Sequence, residues 1–235
     1  MALLILAAVS GTGKSTIARR LLARRSNLKV SVSHTTRTPR EGECDGVDYH
    51  FVSREQFETM VADGEFAEWA EYVGNLYGTA RATIDSAEAM GHDLIFDIEV
   101  QGARQLKTAY PDAIACFLLP PSWQTLRTRL ESRGTDAQAV IEKRLVRGES
   151  ELREAATFDH LVVNDELEMA VAEVAEQTLQ VVFRATQAVA ETPTRPATSN
   201  RRQLTREITQ HPWVNEAIGM FEGEVVNMRV RRSSS

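Results

Sequence analysis

Residues 3–15 of the chain read LLILAAVSGTGKS. The apolar first half is typical of a buried strand, and the helical pattern that begins at Thr16 places the glycine-rich second half between a strand and a helix. The longest apolar run, Ala2 to Val9, is too short to span a bilayer and lacks the basic residues that precede the apolar core of a secretory signal. We therefore expect a strand, a tight loop and a helix here, and nothing that enters a membrane.

The loop between this strand and this helix is predicted to bind phosphate groups. In such a unit the backbone N–H groups of the loop surround a triphosphate, the lysine reaches its β and γ oxygens, and the next hydroxyl ligates Mg²⁺. Ala8 stands where the motif G-x-x-x-x-G-K-[ST] has its first glycine, so a plain strand-to-helix turn is the alternative. The candidate triphosphate-binding residues are Ala8, Val9, Ser10, Gly11, Thr12, Gly13, Lys14, Ser15 and Thr16, with Ser15 as a metal ligand.

Strand and helix patterns alternate along the first 185 residues, which predicts an α/β fold with a central parallel sheet. Apolar runs predict buried strands at Leu3–Val9, Val30–Ser33, Leu94–Ile98, Ile114–Leu119 and Leu161–Val163. Helical patterns lie at Thr16–Arg25, Val100–Ala109, Ser122–Arg133, Ala137–Ala156 and Leu167–Ala185. A small α+β insertion interrupts the alternation, with strands at Asp48–Val52 and Phe66–Val73 and a helix that begins at the capping pair Ser53/Gln56.

Asp97 closes the apolar run that begins at Leu94. In phosphate-loop folds a second buried strand delivers an acidic side chain to the metal from its carboxyl end. Asp97 is therefore a candidate ligand of Mg²⁺, partly through water. The alternative is that Asp97 caps the following helix.

The charge of the chain limits its ligands. The formal net charge is −6, and the last 45 residues carry +2, so the first 190 carry −8. An acidic body argues against broad nucleic-acid binding, and an anionic ligand must be met by arginines gathered at one place. Cys44 and Cys116 lie far apart and the five histidines show no ligand spacing, which predicts a reducing, cytoplasmic environment and no structural metal.

Residues 33–40, SHTTRTPR, form a second candidate anion site where a predicted strand ends. Arg37 and Arg40 can converge on one phosphate group through forked, charge-assisted hydrogen bonds, and Pro39 keeps the segment out of a helix. Tyr49 and Tyr77 could add hydroxyl donors. Taken alone, a solvated basic loop is an equally good interpretation.

The last part of the chain differs in composition from the rest. Residues 191–200, ETPTRPATSN, are polar and proline-punctuated, which is typical of a linker. Residues 201–235 follow it as an extension of unknown role, for which a packing or solubility function and a partner-binding function are both open.

The ordered series Ser33, Arg37, Arg40, Tyr49, Glu68-Trp69, 74–79 (GNLYGT) and 97–99 (DIE) closely resembles the guanylate kinase family. The resemblance extends from the phosphate loop through 133–136 (RGTD), 143–145 (KRL) and 162–165 (VVND), and covers roughly residues 3–185. It is specific because many spaced motifs occur in one order. It implies a three-layer P-loop kinase fold at residues 1–190, with a GMP-binding insertion at 33–84 and a mobile helical lid at about 127–150.

The resemblance also implies the reaction, which is phosphorylation of GMP, and of dGMP, by ATP with Mg²⁺. By this resemblance Arg37, Arg40, Tyr49 and Tyr77 hold the GMP phosphate, and Ser33, Glu68, Thr79 and Glu99 line the guanine. The implied catalytic side chains are Lys14, Arg37, Arg133 and Arg144, the last two from the lid. Asn164 lies near the ATP base, and the expected partners are the two nucleotides, with no nucleic acid and no membrane.

Two features leave alternatives open. The family commonly has Asp-Ile-Asp where this chain has Asp97-Ile98-Glu99, so Glu99 departs from the pattern from which its role is inferred, whereas Glu68 does not. The rivals are a kinase with another acceptor, such as the related ribose bisphosphate phosphokinases, and a guanylate-kinase-like module that only binds proteins. Glu68 argues against the first, and the intact phosphate loop with Arg133 and Arg144 argues against the second.

Overall fold

The computed structural model describes residues 1–132 and 138–187. Its strands are β1 (Leu3–Ala8), β2 (Leu28–Val30), β3 (His34–Thr35), β4 (His50–Phe51), β5 (Phe66–Tyr72), β6 (Asn75–Ala80), β7 (Asp93–Asp97), β8 (Ile114–Leu119) and β9 (His160–Val163). Its helices are α1 (Lys14–Arg24), α2 (Arg54–Ala62), α3 (Arg81–Ala89), α4 (Val100–Ala109), α5 (Trp123–Ser132), α6 (Gln138–Glu154) and α7 (Leu167–Gln187), with a short 3-10 helix at Ala155–Thr157. Arg133, part of the predicted lid, the predicted linker and the C-terminal extension lie outside the described residues.

The chain divides into two compact units. The first comprises Met1–Ala7 and Ala18–Ala115, and the second comprises Ala8–Ile17 and the chain from Cys116 onward. Neither unit, over the residues that the structure describes, contains a helix with the length and apolar character needed to cross a bilayer.

The predicted parallel sheet is confirmed. In the first unit β7 pairs in parallel with both β1 and β2, with Leu6 opposite Asp97. In the second unit β8 pairs in parallel with β9, with Cys116 opposite His160. Within the first unit the strand order is β2-β7-β1, and within the second β8 lies beside β9. Every residue of β1 and β8 is buried, as expected for strands with both faces covered.

The first unit also contains the predicted α+β insertion, which is a small mixed sheet of order β4-β3-β6-β5. Helix α2 begins at the predicted capping pair, since Gln56 N–H donates to Ser53 Oγ at 3.1 Å and Ser53 N–H donates to Gln56 Oε1 at 2.9 Å. The ring of Phe57 on α2 stacks on Phe66 of β5 with 4.4 Å between centroids, and Leu76 of β6 completes this apolar cluster. The cluster holds α2 against the sheet.

Two elements of the insertion were not expected from the sequence. Strand β6 contains Gly78, where an added Cβ would lie 3.0 Å from the carbonyl oxygen of Glu68. Close packing therefore requires a glycine at this position, and glycine weakens the sequence pattern of a strand. Helix α3 begins after Ala80, which makes no side-chain cap, so the sequence carries no start signal.

Strand β2 of the parallel sheet lies at Leu28–Val30 and not at the predicted Val30–Ser33, because only Leu28 of this strand is buried and the apolar pattern is weak.

The turn between β5 and β6 places a valine in an unfavourable conformation. Tyr72 pairs with Asn75, so Val73 and Gly74 form a two-residue turn, with φ angles of 49° and 78°. Turns with two positive φ angles favour Asn-Gly, and a β-branched residue at the first position is strained. Val73 is 77% exposed, so packing does not offset the strain.

We expect Val73→Asn to raise the free energy of unfolding by about 1 kcal/mol, because asparagine adopts this conformation at lower cost. Urea denaturation of the full chain measures the change. Val47→Asn is the control, since Val47 is also exposed but does not have a positive φ. An unchanged or lower stability of the Val73 variant would contradict the strain.

Candidate active site

The first unit contains a pocket of about 230 Å³ that collects most of the predicted GMP-binding residues. Eight predicted site residues line it, namely Ser33, Arg37, Arg40, Tyr49, Glu68, Tyr77, Asp97 and Glu99. These residues come from positions 33 to 99 and from several strands and loops, so the fold of the unit brings them together. Thr79, the ninth predicted residue of this unit, contacts Glu68 directly.

The arginine segment is held in place by strand β6. The Thr35 hydroxyl donates to the carbonyl oxygen of Leu76 at 3.0 Å and accepts from Arg37 N–H at 3.1 Å. The Thr36 hydroxyl accepts from Leu76 N–H at 2.9 Å. The two threonine hydroxyls therefore form hydrogen bonds with backbone groups of Leu76 and Arg37, and these bonds orient the arginine segment.

Glu43, which the sequence analysis did not single out, pairs with the arginine segment. Its carboxylate accepts from the Arg37 guanidinium at 2.9 Å and from the Arg40 backbone N–H at 2.8 Å. The bond from Arg37, together with the backbone N–H, holds the pKa of Glu43 below its usual range, and the same bond raises the pKa of Arg37. The guanidinium carbon of Arg37 also lies 5.4 Å from the centre of the Tyr49 ring, within reach of a cation–π contact.

The other end of the pocket contains a buried carboxylate. Glu68 is only 4% exposed, and one of its oxygens accepts from the hydroxyl of Thr79 at 2.7 Å. A bulge between Phe66 and Glu68 sets the register of β5 so that Glu68 lies opposite Thr79, on the same face of the sheet. A bulge, a cross-strand partner and burial together fix the position of this carboxylate.

Asp97 and Glu99 lie where β7 ends and α4 begins. Asp97 is the last residue of β7 and is half-buried. Glu99 occupies the cap position of α4 and makes no side-chain cap. The alternative assignment of Asp97 as the helix cap is therefore wrong, because the cap position is Glu99 and the helix begins at Val100, three residues after Asp97.

The phosphate loop belongs to the second unit and has the predicted glycine-dependent shape. Gly11 and Gly13 have φ angles of 99° and 101°, which other residues adopt only with strain. An added Cβ would lie 2.8 Å from Leu130 at Gly11 and 2.8 Å from the side-chain amide of Asn164 at Gly13. Lys14 is the first residue of α1, so the loop leads directly into a helix N-terminus.

Three polar residues from distant parts of the chain hold the phosphate loop. The Asn164 amide donates to the carbonyl oxygen of Thr12 at 2.7 Å, and the Arg129 guanidinium donates to the carbonyl oxygen of Asn164 at 3.1 Å. Two residues earlier in the loop, Ser10 N–H donates to the carboxylate of Glu151 at 3.2 Å. The sequence analysis identified Asn164 but missed Arg129 and Glu151, since single residues that bond to a remote backbone leave no local pattern.

Helix α6 carries Arg144 and packs on the phosphate loop. Gly148 lies against Val9, since an added Cβ would be 2.6 Å from the Val9 side chain. Glu151, 5% exposed, also accepts from Arg147 Nε at 2.9 Å. Arg144 is half-buried on the same helix.

Among the described residues, no group of three or more His, Cys, Asp or Glu side chains is arranged to hold a metal ion.

The sequence and fold are similar to those of known proteins. The profile of the family described as guanylate kinase matches residues 1–180. The guanylate kinase of Neisseria gonorrhoeae is 51% identical over 166 residues, which cover 71% of this chain and 81% of that protein. A guanylate kinase of Thermus thermophilus is 51% identical over 171 residues, which cover 73% of this chain and 77% of that protein. The crystal structure of guanylate kinase from Anaplasma phagocytophilum matches with a TM-score of 0.62 and 29% identity, over 87% of this chain and 94% of that chain.

We expect Glu151→Leu to lower the free energy of unfolding by about 1–3 kcal/mol, because it removes the acceptor of Ser10 N–H and the partner of Arg147. Glu151→Gln is the matched variant, since it keeps a side-chain oxygen and should cost less. Urea denaturation gives both values. A leucine variant as stable as the unmodified chain would show that Glu151 does not hold the loop.

Proposed function

We propose that this chain, which belongs to the guanylate kinase family and phosphorylates GMP to GDP with ATP, binds GMP in the pocket of the first unit and ATP on the phosphate loop of the second. The observation that carries the proposal is the pocket itself. It combines two arginines and three tyrosines with a buried carboxylate, and these groups suit a phosphate group and a guanine base.

Arg37, Arg40, Tyr49 and Tyr77 are proposed to bind the GMP phosphate. A phosphomonoester has a second pKa near ~6, so GMP at pH 7 is mostly a dianion that forked guanidinium groups match well. Before GMP binds, Glu43 balances the charge of Arg37 and keeps its side chain ordered. The GMP phosphate then binds to this guanidinium, which is already held in a fixed orientation.

Glu68 is proposed to read the base. Guanine offers N1–H and the exocyclic N2 amine as adjacent donors, and an ionised carboxylate accepts hydrogen bonds only. Adenine has an acceptor at N1 and no amine at position 2, so it leaves a buried carboxylate facing a lone pair. Thr79 supports Glu68 through its 2.7 Å hydrogen bond, and Ser33 and Glu99 line the same pocket.

The phosphate loop is proposed to bind ATP with its backbone N–H groups, while Lys14 reaches the β and γ oxygens. Mg²⁺ prefers hard oxygen ligands and usually keeps several waters, which fits the hydroxyl of Ser15 and the carboxylate of Asp97 as its candidate protein ligands. When bound, Mg²⁺ neutralises charge on the phosphate oxygens. Asn164 holds the Thr12 carbonyl and is proposed to lie near the ATP base.

The chemistry of the transfer requires position and countercharge and needs no general base. The GMP dianion is already a nucleophile, and two polyanions must approach in line. Lys14, Arg37, Arg133 and Arg144 are proposed to supply the positive charge. Because water competes with GMP as the acceptor, we also propose that the segment at about 127–150 closes only when both nucleotides are bound.

Further features of the proposal follow from the same residues. The residues assigned to the nucleotide contact its phosphate and base, so dGMP should be accepted as well as GMP. We propose a cytoplasmic enzyme whose catalytic part does not bind nucleic acid, and a C-terminal extension after residue 200 that is dispensable for the reaction and available to a partner. ADP release with GMP, AMP, UMP and ribose bisphosphate as acceptors separates this activity from its rivals.

Lys14→Met should lower kcat/KM for the kinase reaction by at least about 10³-fold with the fold intact. Methionine keeps most of the stem but not the charge, and preorganised charges at the transferring group are commonly worth ~3–4 kcal/mol or more. Lys29→Met, an exposed position on β2, is the control. A loss of less than tenfold at Lys14 would refute the assignment of the phosphate loop.

Glu68→Gln should lower kcat/KM for GMP by about 10²-fold or more and leave the KM for ATP within a few-fold, since the amide offers a donor where guanine also offers one. The unmodified chain should prefer GMP strongly over AMP and use IMP, which lacks the N2 amine, at an intermediate rate. Glu71→Gln on the exposed face of β5 is the control. Equal kcat/KM values for GMP and AMP would show that Glu68 does not read the base.

A further inference from the structure

Helix α4 packs against β5, the edge strand of the small sheet, beside Glu68. Gly102 and Gln105 are three positions apart on α4 and therefore lie on the same face. Both contact the part of β5 that contains Glu68, and neither was singled out by the sequence analysis. Gly102 also lines the pocket.

Gly102 leaves no room for a side chain. A Cβ added at this position would collide with one carboxylate oxygen of Glu68 and lie 3.1 Å from its carboxyl carbon. The carboxylate thus lies directly on the backbone of α4. Because the colliding atoms are the far end of a side chain and not backbone, a methyl group here would displace the carboxylate and not the helix.

Gln105 prevents the strand from moving away. Its side-chain amide donates to the carbonyl oxygen of Trp69 at 2.7 Å, and its oxygen accepts from Trp69 N–H at 3.2 Å. The side chain therefore pairs with both backbone groups of the residue that follows Glu68. Thr79 donates to the other carboxylate oxygen, so the carboxylate lies between the Thr79 hydroxyl and α4.

We propose that Gly102 is a specificity-determining residue. Because it has no side chain, the Glu68 carboxylate can lie against the backbone of α4, and this contact sets the position of the carboxylate relative to the bound purine. Gln105 fixes the distance between α4 and β5. This inference rests on the proposed role of Glu68 in reading guanine. Gly102 acts through Glu68 and is a positioning residue, not a catalytic one.

The first test is Gly102→Ala, with Gln101→Ala on the exposed side of the same helix as its control. We expect kcat/KM for GMP to fall by about 10²-fold and the ratio of GMP to AMP efficiency to fall with it, because misplacements near 1 Å have effects of this size. The KM for ATP should stay within a few-fold. Alanine favours a helix over glycine, so the melting temperature should be unchanged or higher. A Gly102 variant that behaves like the Gln101 variant overturns the inference.

A double-mutant cycle separates this positioning effect from a general structural one. Glu68→Asp shortens the side chain and withdraws it from α4, so adding Gly102→Ala in that background should change kcat/KM for GMP by less than about threefold. An undiminished loss in the shortened background would overturn the inference. If Gly102→Ala alone lowers the melting temperature, we expect the melting temperature to recover in the double variant, which would support the contact. A melting temperature that does not recover would refute the contact. Failure of the proposed function is distinct, since then the unmodified chain itself would show no preference for GMP.

Discussion

A carboxylate enclosed by protein needs hydrogen-bond donors in front of it, because a buried charge without them is costly. Glu68 is under this constraint, and much of the first unit is arranged around it. The bulge in β5 sets its register, Thr79 occupies one oxygen, and α4 lies against the other with a glycine at the point of contact. Guanine presents two adjacent donors to such a group, so in the proposed binding mode one interaction would both satisfy the buried carboxylate and select the substrate.

The two proposed phosphate sites would meet the charge of their ligands in different ways. In the first unit Arg37 is balanced by Glu43, so the guanidinium is oriented before an anion arrives. In the second unit the phosphate loop is proposed to bind its ligand with backbone N–H groups, and buried polar side chains hold that backbone. Asn164 bonds to Thr12 and Glu151 to Ser10 of the loop, and Gly148 brings α6, which carries Arg144, against Val9. An acidic chain can bind two polyanions because its positive groups are placed locally.

The sequence predicts those parts of the fold and site whose chemistry needs particular residue types in a fixed order. The phosphate loop, the Arg37–Arg40 segment, Glu68 and the buried strands of the parallel sheet are of this kind. Strand β6 and helix α3 were not predicted, because Gly78 and Ala80 suit packing and give no sequence signal for a strand or a helix cap. Gln105 and Glu151 escaped because each bonds to a backbone group, 36 and 141 positions away, and such bonds leave no trace in local composition.

A crystal structure of the chain with bound GMP would show directly whether Glu68 reads the base. We expect N1 and N2 of guanine to lie within about 2.7–3.2 Å of the Glu68 carboxylate, whose contacts with Thr79 and α4 are retained, and the phosphate group to lie on Arg37 and Arg40. A guanine bound with its N1–N2 edge turned away from Glu68, or a GMP phosphate held elsewhere in the molecule, would contradict it.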